Sequence, residues 1–214
     1  MALVDEDQGE PQMYALAQPS ESRCAKLERK TKETDISLEL SLDGSGEAQV
    51  STGIGFLNHM VGALAKHARF NLNLQCEGDL EVDDHHTAED CALILGQGID
   101  EALGERRGIT RFGSAYVPLD EALARVVIDL SGRPFAVVNM GLKREQIGGL
   151  ATENIPHFFQ SLAMTLRATI HVDILRGEND HHRSEAAFKA CAIALRQAVS
   201  LDSTAGIPST KGVL

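Results

Sequence analysis

The pattern HHxxE occurs twice in this chain, at His85 to Glu89 and again at His181 to Glu185, and repetition constrains architecture before any single element is read. A lone histidine precedes each pair, His59 in LNHMVGALAKHAR and His157 in ENIPHFFQSLAMTLRA. The surrounding order repeats as well. In the first copy Ile36, Leu38, Leu40 and Leu42 alternate from Asp35 and predict a half-buried strand. DGSG then predicts a turn, and Ala48 and Val50 a return strand, closing a β-hairpin. Met60, Leu64 and Ala68 fall at helical spacing, FNLNLQCEG alternates like a strand, and HHTAEDCALILGQGIDEALG reads as an apolar-faced helix stopping near Gly104.

The second half follows suit. AYVPLDEALARVVIDL and FAVVNMG are strand-rich, ENIPHFFQSLAMTLRA is helical, TIHVDILRG alternates, and HHRSEAAFKACAIALRQAV is helical. Two imperfect copies of a sheet with two helices on one face predict an α+β fold, with mostly antiparallel strands and the copies packed by pseudo-twofold symmetry. The expected divisions are a flexible arm over residues 1–25, a duplicated domain over 26–202 and a turn-rich tail over 203–214. The repeats span about 29–108 and about 109–202. The arm is expected because Pro11, Pro19 and a cluster of acids and polar residues bury too little apolar surface to repay ordering.

Composition narrows the function. A net charge of −11 without a basic block argues against a nucleic-acid surface, whose affinity comes from cations neutralising phosphates. The opening MALVDEDQGEP lacks the regions of a signal peptide, and no apolar run reaches the roughly 20 residues that cross a bilayer. Cys24, Cys76, Cys91 and Cys191 are scattered without a CxxC pair, which suggests neither a zinc knuckle nor a disulfide framework. A soluble cytoplasmic protein acting on a small molecule, away from membranes and nucleic acid, is the expectation.

Histidine usage points to metal. On a helix, residues four apart share a face while neighbours diverge by about 100°. Each HHxxE therefore lets one imidazole lean toward the glutamate and turns its neighbour elsewhere, an arrangement better suited to two ions than to one. With the upstream singles, the pattern uses six of the chain's 8 histidines and two glutamates. Imidazole and carboxylate donors without thiolate suit six-coordinate Mn²⁺ or Fe²⁺, with Co²⁺ or Zn²⁺ as substitutes. Four protein ligands per ion leave open positions, as catalytic metals require. His67 and His171 have no carboxylate at ligand spacing and read as surface or packing residues. Asp83, Asp84 and Asp180 read either as acids orienting imidazole N–H groups or as solvated caps.

These residues resemble a known family. VDDHHTAEDCALIL and GENDHHRSEAAFK resemble the paired signatures of imidazoleglycerol-phosphate dehydratases of histidine biosynthesis, and the likeness runs from about Arg29 to Lys211. The resemblance implies a four-stranded sheet with helices in each half and a 24-subunit homo-oligomer with sites between subunits. It implies two Mn²⁺ per site held by His59, His85, His86, Glu89, His157, His181, His182 and Glu185, each ion drawing on both repeats and the ligands coming from different chains.

The implied reaction removes water from D-erythro-imidazole-glycerol phosphate to give imidazole-acetol phosphate. A proton leaves the carbon beside the imidazole and a hydroxyl leaves the next, with no carbonyl to activate either. A metal that holds the imidazole as an imidazolate lets the ring store the electron density. The family motif makes Glu33, in KET, the acid/base candidate. It makes Arg111, Arg133, Lys189, Ser209 and Lys211 the phosphate-binding candidates, and PSTKG a lid that orders over bound ligand. A dinuclear-metal phosphoester hydrolase and a non-catalytic metal-binding protein are the competing readings, separated by whether phosphate is released and whether Glu33 is needed.

Overall fold

The computed structural model describes residues 23–202, 206, 208 and 209. The expected arm lies outside these apart from Arg23, Cys24 and Ala25, as does most of the tail. The first half contains β1 (Cys24–Lys30), β2 (Thr34–Ser41), β3 (Ala48–Ser51), α1 (Gly55–Ala68), β4 (Asn71–Gly78) and α2 (His85–Leu103). The second contains β5 (Phe112–Leu119), β6 (Ala122–Asp129), β7 (Phe135–Asn139), a small hairpin of β8 (Gln146–Ile147) and β9 (Leu150–Ala151), α3 (Asn154–Leu166), β10 (Thr169–Arg176) and α4 (Asp180–Ala198). Apart from that hairpin the two halves match element for element.

The sheets match too. Their orders are β1-β2-β4-β3 and β5-β6-β10-β7, antiparallel throughout except that β3 runs parallel to β4 and β7 parallel to β10. The expected α+β duplication with four mainly antiparallel strands per half is therefore the observed fold. One expected pairing is corrected. Ala48–Ser51 does not return beside β2, because β4 lies between them and pairs with both. Alternation identifies a strand but not its neighbour, and α1 carries the chain across so that β4 fills the gap. The hairpin partner of β2 is β1, whose sequence CAKLERK turns only Ala25 and Leu27 toward apolar neighbours and gave a weak signal.

Inward positions fill the core. Ile36, Leu38 and Leu40 on β2 and Leu72, Leu74 and Cys76 on β4 are buried, alternating with exposed polar residues. In α1 the buried residues Phe56, Leu57, Met60, Val61, Leu64, Ala65 and Ala68 follow the 3.6-residue period. α2 lies on β1 and β2 and also against α3, while α4 lies on β5 and β6 and against α1. The helices are thus enclosed between the two sheets, and each half's second helix meets the other half's first. Gly96 permits one of these approaches: a Cβ there would stand 2.3 Å from Thr165 Oγ1 and 2.7 Å from the Leu162 carbonyl oxygen. Across the same contact Thr165 donates a hydrogen bond to the Leu93 carbonyl at 2.7 Å.

Candidate metal centre

Cross-packing of the helices brings distant residues together. His59 on α1 meets His181 and Glu185 on α4, and His157 on α3 meets His85 and Glu89 on α2. In each group one ligand atom per residue lies within 4.8 Å of the others. The Nε2 atoms of His59 and His181 lie 3.3 and 3.1 Å from Glu185 Oε2. His157 Nε2 lies 3.1 Å from Glu89 Oε1, and His85 Nε2 4.0 Å from Glu89 Oε2. Each group draws on both repeats and offers two imidazoles and one carboxylate, a donor set that fits Mn²⁺ or Fe²⁺. Ligand atoms around one ion at about 2.1 Å lie within about 4.2 Å of each other, so small side-chain movements close either group around a cation.

Adjacent imidazoles diverge as helix geometry requires. The rings of His85 and His86 are inclined by 78°, and those of His181 and His182 by 85°. His86 turns its Nδ1 to Asp79 at 3.0 Å, leaving Nε2 3.7 Å from Glu33. His182 does the same with Glu121 at 2.7 Å, its Nε2 3.8 Å from Asp120. The Asp79 hydrogen bond raises His86 above the ordinary imidazole value against a lowering from desolvation, with Glu33 adding to the rise. Glu121 likewise raises His182. The His182 hydrogen bond, followed by the Asn179 and Glu178 backbone N–H groups, holds Glu121 down at about 2.

Burial pushes the Glu185 carboxyl up, but contacts with Lys189, His59 and His181 together outweigh it and hold the group at about 2. That charge needs a cation, and Lys189, one helical turn on, supplies one at 2.6 Å.

The acids flagged beside the histidines have other partners. Asp83 accepts from the His85 backbone N–H at 2.8 Å, Asp84 from Ala151 N–H at 2.6 Å, and Asp180 from the N–H groups of Lys143 and Arg144, both at 2.7 Å. The imidazoles are oriented instead by Asp79, Glu121 and Asn154, the last holding His85 Nδ1 at 3.0 Å. Sequence reading missed these three because each lies on another element, and only the turn position of Asp79 and Glu121 hinted at them.

Among the phosphate candidates, Arg111 is held by Asp129 at 2.7 Å and donates to the Pro208 carbonyl oxygen at 2.7 Å. Arg133 is more exposed and lies 4.0 Å from the same Asp129. Ser209 is among the described residues and is half-buried; Lys211 lies outside them. His67 is partly buried and His171 exposed, and neither joins a metal-ligand group among the described residues.

The sequence profile of the imidazoleglycerol-phosphate dehydratase family matches residues 52–195, which span both histidine clusters. The chain belongs to this family. An imidazoleglycerol-phosphate dehydratase of Eremothecium gossypii is 52% identical over 218 residues, covering 91% of this chain and 99% of its own length. That of Saccharomyces cerevisiae is 52% identical, covering 89% and 97%. A Phytophthora nicotianae dehydratase is 61% identical over 90% of this chain, which spans only 42% of that longer protein.

Solved structures agree. The Staphylococcus aureus imidazoleglycerol-phosphate dehydratase superposes with a TM-score of 0.76 at 36% identity, covering 83% of this chain and 99% of that one. The Pyrococcus furiosus enzyme in complex with (S)-C348 gives 0.77 at 39%, covering 88% and 100%. Membership in the dehydratase family makes the chain a hydro-lyase of histidine biosynthesis that acts on a small phosphate substrate. Among the described residues, no helix is long and apolar enough to cross a membrane.

Proposed function

We propose that this chain converts D-erythro-imidazole-glycerol phosphate to imidazole-acetol phosphate in the cytoplasm, with two Mn²⁺ ions per site, as a 24-subunit homo-oligomer whose sites are completed between subunits. The observation that carries the metal reading is the pair of two-histidine, one-glutamate groups built across the repeats. His59, His181 and Glu185 hold one ion, and His85, Glu89 and His157 hold the other. His86 and His182 are fixed through Nδ1 to acids of their own repeats, which leaves each Nε2 available to a group on a neighbouring copy. This geometry supports the shared sites that the family resemblance implies.

When bound, the ions supply Lewis acidity toward the substrate's imidazole. Glu33 acts as acid/base at the two carbons: one gives up its proton and the C–H pair becomes a carbon–carbon double bond, while hydroxide leaves the neighbour with the C–O pair and is protonated, so that one water departs and the enol tautomerises to the ketone. Arg111, Arg133, Lys189, Ser209 and Lys211 bind the phosphate, the more exposed Arg133 by paired N–H donors. PSTKG is the segment assigned as a lid over bound ligand, with Thr210, Lys211 and Gly212 outside the described residues.

Turnover by metal-stripped protein, supplied with Mn²⁺ and imidazole-glycerol phosphate and scored for ketone and free phosphate together, tests the reading. Ketone that appears only with added metal and without phosphate release is the expected result. Released phosphate identifies a hydrolase, and metal uptake without turnover identifies a binding protein.

A further inference from the structure

We propose that Asp90, through Arg29 and Thr34, is a positioning residue that fixes Glu33 for proton transfer; this rests on the assignment of Glu33 as the acid/base group. Asp90 follows Glu89 on α2 and is only 4% exposed. Its Oδ2 accepts from both Arg29 Nη1 and Thr34 Oγ1. These residues flank the β1–β2 turn that carries Glu33.

The turn is braced from within. Thr31 Oγ1 accepts from the N–H groups of Glu33 and Thr34 at 3.1 and 3.0 Å, and Thr31 N–H donates to the Thr34 carbonyl oxygen at 2.9 Å. On its other side the Glu33 carbonyl oxygen accepts from Asp79 N–H at 3.0 Å, and Asp79 is the residue that orients His86. Glu33 thus has a backbone held on both sides and a side chain still 51% exposed, 3.7 Å from His86 Nε2.

Folding alone does not call for this cluster. Burying a carboxylate costs desolvation that apolar residues avoid, and the second repeat has apolar residues at the positions of this cluster, with Val117 where the first repeat has Arg29. Aligning the two HHxxE motifs puts Ala186 where the first repeat has Asp90. Strand register, with Leu38 opposite Leu74 and Val126 opposite Val172, puts Ala122 where the first repeat has Thr34. Both alanines are buried. The acid on that repeat's turn, Glu121, bonds His182 directly and the N–H groups of Glu178 and Asn179 besides. The polar anchor is confined to the repeat whose turn carries Glu33, which marks it as serving that residue.

Thr34→Val removes the hydroxyl while keeping the branched shape that suits a strand. Displacing a reacting group by about 1 Å costs on the order of 100-fold, so kcat is expected to fall about 10- to 100-fold with KM, metal per subunit and native mass unchanged. Thr34→Ser is expected to keep most of the activity, and Asp90→Asn to behave like Thr34→Val. In a Glu33→Gln background, Thr34→Val is expected to add less than about 2-fold, the mark of residues acting through one another. Equal losses in both backgrounds, or lost metal, would show a framework role and overturn the inference. Loss of turnover in Glu33→Gln with none in Thr34→Val overturns it alone, while full activity in Glu33→Gln removes the acid/base assignment and this inference with it.

Discussion

His157 Nε2 lies 3.1 Å from Glu89 Oε1 although 68 residues separate them. The same relation recurs between His59 and Glu185 across 126 residues. Two groups of matching chemistry stand on opposite helix pairs, so they can be perturbed one at a time. Glu89→Gln and Glu185→Gln are each expected to lower bound Mn²⁺ by about half, since each removes the carboxylate of one two-histidine group. Metal analysis of purified protein checks this, and full stoichiometry in either variant would contradict the assignment.

If His86 and His182 serve neighbouring copies, removing them acts on assembly as well as on metal. His86→Ala and His182→Ala are expected to lower both metal content and native mass, read by metal analysis and light scattering. Unchanged values in both variants would sink the shared-site reading.

Protons compete with metal for these imidazoles. Asp79 raises His86 and Glu121 raises His182 above 6.5 in the metal-free chain, so competition begins above that pH and strengthens as pH falls. Metal occupancy after dialysis is expected to decline steadily from pH 7.5 to about pH 5. A flat profile over that range would rule the imidazoles out as ligands.

Gly96→Ala tests the helix contact beneath the second group. A methyl there meets Thr165 Oγ1 and the Leu162 carbonyl oxygen at well under van der Waals distance, so α2 and α3 must separate. Overpacking of this kind costs about 1–3 kcal/mol. The urea midpoint is expected to fall, with weaker metal binding at His85, Glu89 and His157 and less change at the other group.

Asp180 makes an acid-stability prediction. It is 2% exposed, and burial raises its carboxyl, but the N–H groups of Arg144 and Lys143 and the Arg183 guanidinium outweigh that and leave it below 3.8. A carboxyl lowered by folding stabilises fully above its unfolded value of about 3.9 and loses that stabilisation as pH falls through the lower folded value. Metal-free protein should therefore lose urea resistance below about pH 4. Asp180→Asn should be less stable at pH 7 and show a shallower acid slope; an unchanged slope would mean that Asp180 contributes nothing there.

The grouping of histidines with glutamates was legible in part because helical spacing is local. HHxxE names its own residues, and one helical turn dictates that His85 faces Glu89 while His86 does not. The doubled order of elements likewise showed the duplication. Strand partnership was not legible: Ala48–Ser51 looked like the return arm of a hairpin, and only the path of α1 places β4 between it and β2. The groups that orient the imidazoles were hidden for the same reason. Asp79 and Glu121 sit in loops and Asn154 on another helix, while the flagged Asp83, Asp84 and Asp180 bind backbone N–H groups instead.

The exchange of helix partners, α1 with α4 and α2 with α3, has a consequence for how such a chain can arise. A half-length peptide would carry a lone histidine and one HHxxE but could complete neither metal group from its own helices. Two identical half-length copies facing each other would complete both. The present chain is in this geometric sense a homodimer with its subunits fused end to end, and the short segment between Leu103 and Phe112 is the tether. A tether of that length replaces a bimolecular encounter with an effective concentration in the millimolar range. Fusion lets the two halves differ, as they do where Asp90 faces Thr34 in one and Ala186 and Ala122 stand in the other.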